Sequence, residues 1–379
     1  MSTTVIAPRA AAFERLMSLD VVRGITIWFM IIVNNSGRPA YAPLHHAEWN
    51  GWTPTDLVFP SFLFLVGTSI EFALGRRLEQ GAAKLPLAMG ALRRAAILLF
   101  FGLIVNGFPH FHPGTQRIYG VLQRIALCYL IASLLYLWRR DARTQVVITV
   151  LALVGYWALM CFVPVPGAGL PGRDIPLLDP NQNLVAWLDR HLLPGRLFEG
   201  VRDPEGLLSS LPALATTFLG ILTGKWLRSG RARTQIGSGM LVGGAILIAA
   251  GQLWNLSFPI NKKLWTSSYV LFAAGCTLLL FAACYWLADV KRWQGGWTVP
   301  WRVFGTNAIF AYMLSELLPE GLGSIRVASG ASLMSSVDAH SFHHISPPAV
   351  AALLFSLAVA LVCWLATYVL WKKKIFLKI

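Results

Sequence analysis

The sequence predicts an all-α, polytopic integral membrane protein of about ten transmembrane helices, and three observations predict it. Mean hydropathy over the 379 residues is +0.59. Only 13% of the residues are charged, about half of the roughly 25% usual in a soluble domain. Ten apolar stretches also approach the about 20 residues that a helix needs to cross about 30 Å of hydrocarbon.

In chain order the stretches lie near 16–34, 57–74, 91–108, 118–138, 146–163, 207–226, 236–253, 265–287, 300–318 and 348–371. The first runs straight into a polar loop with no small-residue cleavage site, so a retained helix is expected there, not a signal peptide. Between the fifth and sixth, Pro164, Pro166, Pro171, Pro176 and Pro180 interrupt regular structure before a short amphipathic run from Leu184 to Leu193. The external region at about 164–206 is therefore expected to form an ordered cap on a single membrane domain spanning 1–379. Asp203, followed by Pro204, suits the cap of the sixth helix. The loop from Pro319 to Pro347 is rich in glycine and serine and carries less information.

A net charge of +15 and a pI near 10.0 would suit nucleic acid, but the basic residues alternate by side of the predicted bundle. Twenty-one fall on one side, among them Arg9, Arg15 and Lys378; nine fall on the other, among them Arg38. The remaining two, Arg23 and Arg124, lie in the interior of apolar stretches, away from their ends. That bias is the positive-inside pattern and places both termini in the cytoplasm; no nucleic acid is needed to explain the charge. All eight histidines then face the outside. Longer outer loops explain most of them. His46 stands apart, because it shares a loop with Asn34, Trp49, Asn50 and Asp56.

Five constellations carry candidate chemistry. Asp20 and Arg23 share a helix face, either as an ion pair or with Arg23 turned toward an anionic ligand. Gln123 and Arg124 interrupt an apolar span, where a charge costs a few kcal/mol; Arg124 suits either an internal salt bridge to Asp20 or Asp56, or a phosphate or carboxylate. The turn Arg202-Asp203-Pro204-Glu205-Gly206 opens the sixth helix. Asn261, Lys262, Lys263 and Trp265 form either an interfacial belt or a surface for a sugar or phosphate. His340, His343 and His344 have metal-compatible spacing, but no cysteine or carboxylate motif completes a site. The five cysteines lack CxxC spacing and read as small buried hydrophobes. There is no Walker loop, no GxGxxG opening a helix after a strand and no GxSxG elbow.

Ser18-Leu19-Asp20-Val21-Val22-Arg23-Gly24, the block from His46 to Pro60, the block from Gly120 to Tyr129, Asp203-Pro204-Glu205-Gly206, Asn261-Lys262-Lys263-Leu264-Trp265-Thr266 and Phe304-Gly305-Thr306-Asn307-Ala308 together resemble the family of heparan-α-glucosaminide N-acetyltransferase and its bacterial transmembrane relatives. The motifs keep the family's order from Ser18 to about Glu316. The resemblance implies a multipass inner-membrane enzyme that takes acetyl from cytosolic acetyl-CoA and places it on the amine of a glucosamine-type sugar outside. It maps the family's essential histidine onto His46 and its catalytic asparagine onto Asn34.

The chemistry of the residues fits that implication. An amine must be neutral to attack a thioester, so His46 suits a base or acyl carrier at the outer face. Asn34 suits an oxyanion donor, and Asp56 suits the group that holds the imidazole tautomer. Arg124, Gln123, Arg23, Asn261, Lys262 and Trp265 form the expected donor-binding set; Trp49, Asn50 and Glu205 form the expected acceptor-binding set. The expected partners are acetyl-CoA, an amino sugar and the lipid bilayer, with a homodimer as a further expectation. The alternatives are an O-acyltransferase of an envelope glycan and a transporter that binds a sugar or small molecule in the same cavity.

Overall fold

The computed structural model describes residues 16–377 apart from 38, 113, 328, 329 and 343. Arg9, Arg15, Arg38, His343 and Lys378, used above for charge sidedness and metal spacing, lie outside the described residues. The chain forms α1 (Met17–Asn35), α2 (Pro54–Glu79), α3 (Lys84–Gly107), α4 (Val121–Trp138), α5 (Ala142–Phe162), the short α6 (Leu184–Leu192) and α7 (Ser210–Leu227). There follow α8 (Arg233–Asn255), α9 (Ser267–Val290), α10 (Thr298–Thr306), α11 (Ala308–Ser324), α12 (Leu333–Ser341) and α13 (Pro348–Lys372). Among the described residues 8 helices are long and apolar enough to cross a membrane. The protein is an all-α polytopic membrane protein.

Two of the ten expected spans take a different form. Helix α7 is 18 residues long and carries Thr216, Thr217 and Thr223 among its apolar residues, and it sits deep in the bundle with Thr216 and Thr217 fully buried. The expected ninth span breaks at Asn307 into α10 and α11. Asn307 leaves helical geometry at φ −127°, and its amide holds the chain after α13, donating to Ile375 O at 3.0 Å and accepting from Leu377 N at 2.9 Å.

Local capping starts several helices. Asp141 accepts from Thr144 N at 2.8 Å before α5, and Asn183 accepts from Ala186 N at 2.9 Å before α6, each satisfying an otherwise orphaned donor. Asp203 does not cap α7, which starts seven residues later; its carboxylate is committed elsewhere, as described below. Packing then sorts the helices. More than half of the residues in the apolar windows of α1, α2, α4 and α9 are buried; in α3, α5, α8 and α13 a third or fewer are. The first group forms the core and the second presents apolar faces suited to lipid. Small residues allow the tightest crossings. A Cβ at Gly24 on α1 would lie 1.8 Å from Trp301 O on α10, and one at Gly67 on α2 would lie 1.9 Å from Thr217 O on α7.

The proline-rich region folds as an ordered layer on one end of the bundle. Leu184 and Val185 of α6 bury against Val165, Ile175, Phe258 and Leu264. This layer and the loop after α1 surround the site.

Candidate active site

Helix capping gives Asp56 its orientation. It occupies the first turn of α2, where its Oδ2 accepts from Thr53 N at 3.0 Å, Ala47 N at 3.0 Å and Thr53 Oγ1 at 3.1 Å. Its other oxygen, Oδ1, meets His46 Nδ1 at 2.7 Å. The carboxylate is buried, while the imidazole is about half exposed. With Asp56 ionised, Nδ1 carries the proton and Nε2 carries the lone pair. The dyad therefore presents a general base toward the cavity.

A second loop faces the first. Gly51 N donates to Ile260 O at 2.8 Å, and Asn261 Nδ2 donates to Asn50 Oδ1 at 3.2 Å. Asn261 Oδ1 in turn accepts from Leu264 N at 2.9 Å. These staples bring Lys262 Nζ to 2.9 Å from His46 Nδ1, 3.3 Å from Nε2 and 3.6 Å from Asp56 Oδ1. Burial lowers the pKa of the Lys262 ammonium from the ordinary lysine value, against the opposing pull of Asp56 and Glu205. Tyr269 locks the arrangement from below, donating to Asp56 O at 2.5 Å.

His46 opens on a cavity of about 360 Å³ shared with Asn34, Arg117, Glu205, Lys262 and Glu316. Asn34 Nδ2 donates to Glu316 Oε1 at 2.7 Å, which leaves its second N–H for another acceptor. The neighbouring residues of each doublet turn elsewhere: Asn35 donates to Ile31 O, and His45 Nε2 lies 3.1 Å from Ala40 O. Arg117 forks onto Asp203 at 2.7 and 2.6 Å and reaches Glu205 at 2.5 Å. Asp203, and not a helix end, is thus the partner of a guanidinium.

At the other end of the bundle lies a second cavity of about 430 Å³, whose polar wall contains Arg23, Ser69, Arg77, Arg94 and Thr306. Arg23 donates to Ser69 Oγ at 2.9 Å, Gly305 O at 3.1 Å and Asp20 Oδ1 at 3.3 Å; the i,i+3 pair forms while the guanidinium still borders the cavity. Arg94 stacks on Tyr129 at 5.0 Å, and its buried Nε has no hydrogen-bond partner among the described residues. Arg23 and Asn34 stand on one helix, eleven residues and so about 16 Å apart. Between the two cavities runs an apolar neck of about 10 Å³. Met30, Phe59, Val121 and Tyr312 belong to both the neck and the His46 cavity; Phe62, Leu122, Ile125 and Ile309 belong to both the neck and the arginine-lined cavity.

Several sequence candidates lie outside these walls. Arg124 forms neither expected salt bridge: its buried guanidinium donates to Gly206 O at 3.0 Å and Ser209 Oγ at 2.5 Å and stacks on Trp265 at 5.1 Å. Gln123 packs against Gly102. Trp265 is buried, bonded to Thr216 Oγ1 at 3.2 Å. Asn50 and Asn261 hold the two loops to one another. Trp49 donates to Leu178 O at 2.8 Å and stacks under Arg202 at 4.3 Å. None of these six lines either cavity. Conversely, the cavities are also lined by Arg77, Arg94 and Glu316, which belong to none of the motifs; Arg77 and Arg94 are among the 21 basic residues on the inner side of the predicted bundle, and Glu316 only marks the end of the motif order. Among the described residues no cluster of three metal-ligating side chains occurs.

The family profile "Heparan-alpha-glucosaminide N-acetyltransferase, catalytic" matches residues 15–254. Two similar proteins are both named heparan-alpha-glucosaminide N-acetyltransferase. The one from Mus musculus is 30% identical across 98% of this chain and 61% of its own length. The one from Homo sapiens is 31% identical across 80% of this chain and 53% of its own length. The chain thus spans between about half and three fifths of these relatives. The profile takes in His46, Asp56 and the α1, α2 and α4 walls of the two cavities, and the chain belongs to the heparan-α-glucosaminide N-acetyltransferase family.

Proposed function

We propose that the protein is a transmembrane acetyltransferase that accepts acetyl from acetyl-CoA at the arginine-lined end and gives it to the amine of an amino sugar at the His46 end. The observation that carries this is the shared wall: an arginine-lined cavity and a base-lined cavity meet through one apolar neck. The donor supplies an activated acyl thioester. Arg23, Arg77 and Arg94 provide donors for its phosphates, and the unpartnered Nε of Arg94 fits an anionic ligand. At the far end His46 Nε2 removes a proton from the acceptor amine while Asp56 steadies the imidazole. The second N–H of Asn34 is available to the carbonyl oxygen as it gains charge, a contact worth about 2.7 to 4 kcal/mol where such donors have been removed.

The charge bias along the sequence supports a cytoplasmic arginine end and an external His46 end, as in an inner membrane. A neck of about 10 Å³ is about the size of one water probe, so Met30 and the neck aromatics must swing aside before the acyl end reaches His46.

Purified protein incubated with labelled acetyl-CoA and glucosamine tests the proposal. A stable amide on the sugar supports it. A base-labile ester would make the protein an O-acyltransferase, and no transfer with saturable sugar binding would make it a transporter.

A further inference from the structure

The His46 cavity contains a charge imbalance. The charged side chains that line it, together with their direct partners, are the cations Arg117, Arg202, Lys262 and Lys263 and the anions Asp56, Asp203, Glu199, Glu205 and Glu316. Arg117 takes both Asp203 and Glu205; Arg202 and Lys263 take Glu199; Lys262 takes Asp56. Glu316 alone among these carboxylates lacks a cationic partner among the described residues. Glu320, one helical turn further along α11, adds a second negative charge. A carboxylate set in an apolar wall with no counter-ion is costly, and a cation that binds there recovers the cost.

The position of Glu316 indicates which cation. Its Oε1 already accepts from Asn34, so the carboxylate and the catalytic amide form one polar edge of the cavity that also holds His46. Neither Glu316 Oε2 nor Asn34 Oδ1 has a protein hydrogen-bond partner among the described residues. An alkylammonium carries three N–H donors, and these two oxygens with His46 Nε2 are three acceptors in one cavity. At neutral pH an aliphatic amine arrives mostly protonated.

We infer that Glu316 is the ammonium anchor for the acceptor: its carboxylate receives the protonated amine of the sugar and, with Asn34, holds the nitrogen facing His46. This rests on the acetyltransferase reading for the identity of the acceptor, but the binding step stands apart from turnover. Glu316 thus selects an amine over a hydroxyl, since a neutral sugar would leave the carboxylate without a counter-ion. The anchored amine then gives up a proton to His46 before it attacks.

The test compares binding of glucosamine and glucose to the full-length detergent-solubilised protein by calorimetry near pH 6.5, without acetyl-CoA, for wild type, Glu316→Gln and Glu316→Asp. Wild type is expected to hold glucosamine at least about tenfold more tightly than glucose. Glu316→Gln keeps an oxygen for Asn34 and is expected to reduce that preference to within about twofold, with Glu316→Asp between. A preference that survives in Glu316→Gln overturns the inference. So does a variant that loses only kcat, which would make Glu316 a support for Asn34. If Glu316→Gln does not fold, Glu316→Asp and wild type decide, and a wild type that binds both sugars equally overturns it. Wild type that prefers glucosamine yet transfers no acetyl would sink the acetyltransferase reading and leave this site standing.

Discussion

His46 Nδ1 lies 2.7 Å from Asp56 Oδ1, and the opposite oxygen of that carboxylate is held by the backbone N–H groups of Ala47 and Thr53. One buried carboxylate therefore starts a helix and sets a tautomer at once. The chain's folding and its chemistry share an atom group. Asp56→Asn replaces an acceptor with an amide that can donate to Nδ1, which moves the imidazole proton to Nε2. Acetyl transfer should fall about 10³- to 10⁴-fold in kcat, with donor affinity retained. His46→Ala should abolish it. Turnover within tenfold of wild type in Asp56→Asn would remove the dyad from the mechanism.

Arg77 and Arg94 border the cavity with Arg23 but sit outside the motifs. Substituting either by alanine should weaken acetyl-CoA about tenfold, the loss of one charge-assisted contact. Acetyl-pantetheine, which lacks the nucleotide phosphates, should be unaffected. Equal losses for both donors would indicate a general disturbance of the fold.

The neck can be closed by volume. Met30 belongs to both the neck and the His46 cavity, so Met30→Trp should leave acetyl-CoA binding near wild type while stopping transfer to external sugar. Undiminished transfer through a blocked neck would show that acetyl takes another route.

Arg124 ties the Gly206–Ser209 turn to α4 from a buried position. Arg124→Leu removes its charge-assisted bonds to Gly206 O and Ser209 Oγ, which keep their bonds with one another and with Ser210 Oγ, and should lower stability by about 1.5 to 3 kcal/mol. Donor affinity of the folded fraction should not change. A selective loss of acetyl-CoA affinity without a change in melting temperature would restore Arg124 to the donor site.

The sequence by itself determined the membrane class, most of the spans and the His46 loop. Hydropathy over some 20 residues and a His-to-Asp spacing of ten are local properties that survive without a fold. It also pointed to Arg23, which indeed borders a cavity. Arg124 misled because a charge in an apolar span signals an obligatory partner, not which partner; its partners are Gly206 and Ser209, 82 and 85 residues away.

Only the tertiary structure decided how charges pair and where space remains. Asn34 meets Glu316 across 282 residues, and His46 meets Lys262 across 216. Pairing depends on helices that cross where Gly24 and Gly67 admit a neighbouring backbone, and no spacing along the chain encodes that crossing. The neck likewise exists because four helices, α1, α2, α4 and α11, each contribute side chains to one constriction, a product of packing and not of any single segment's pattern.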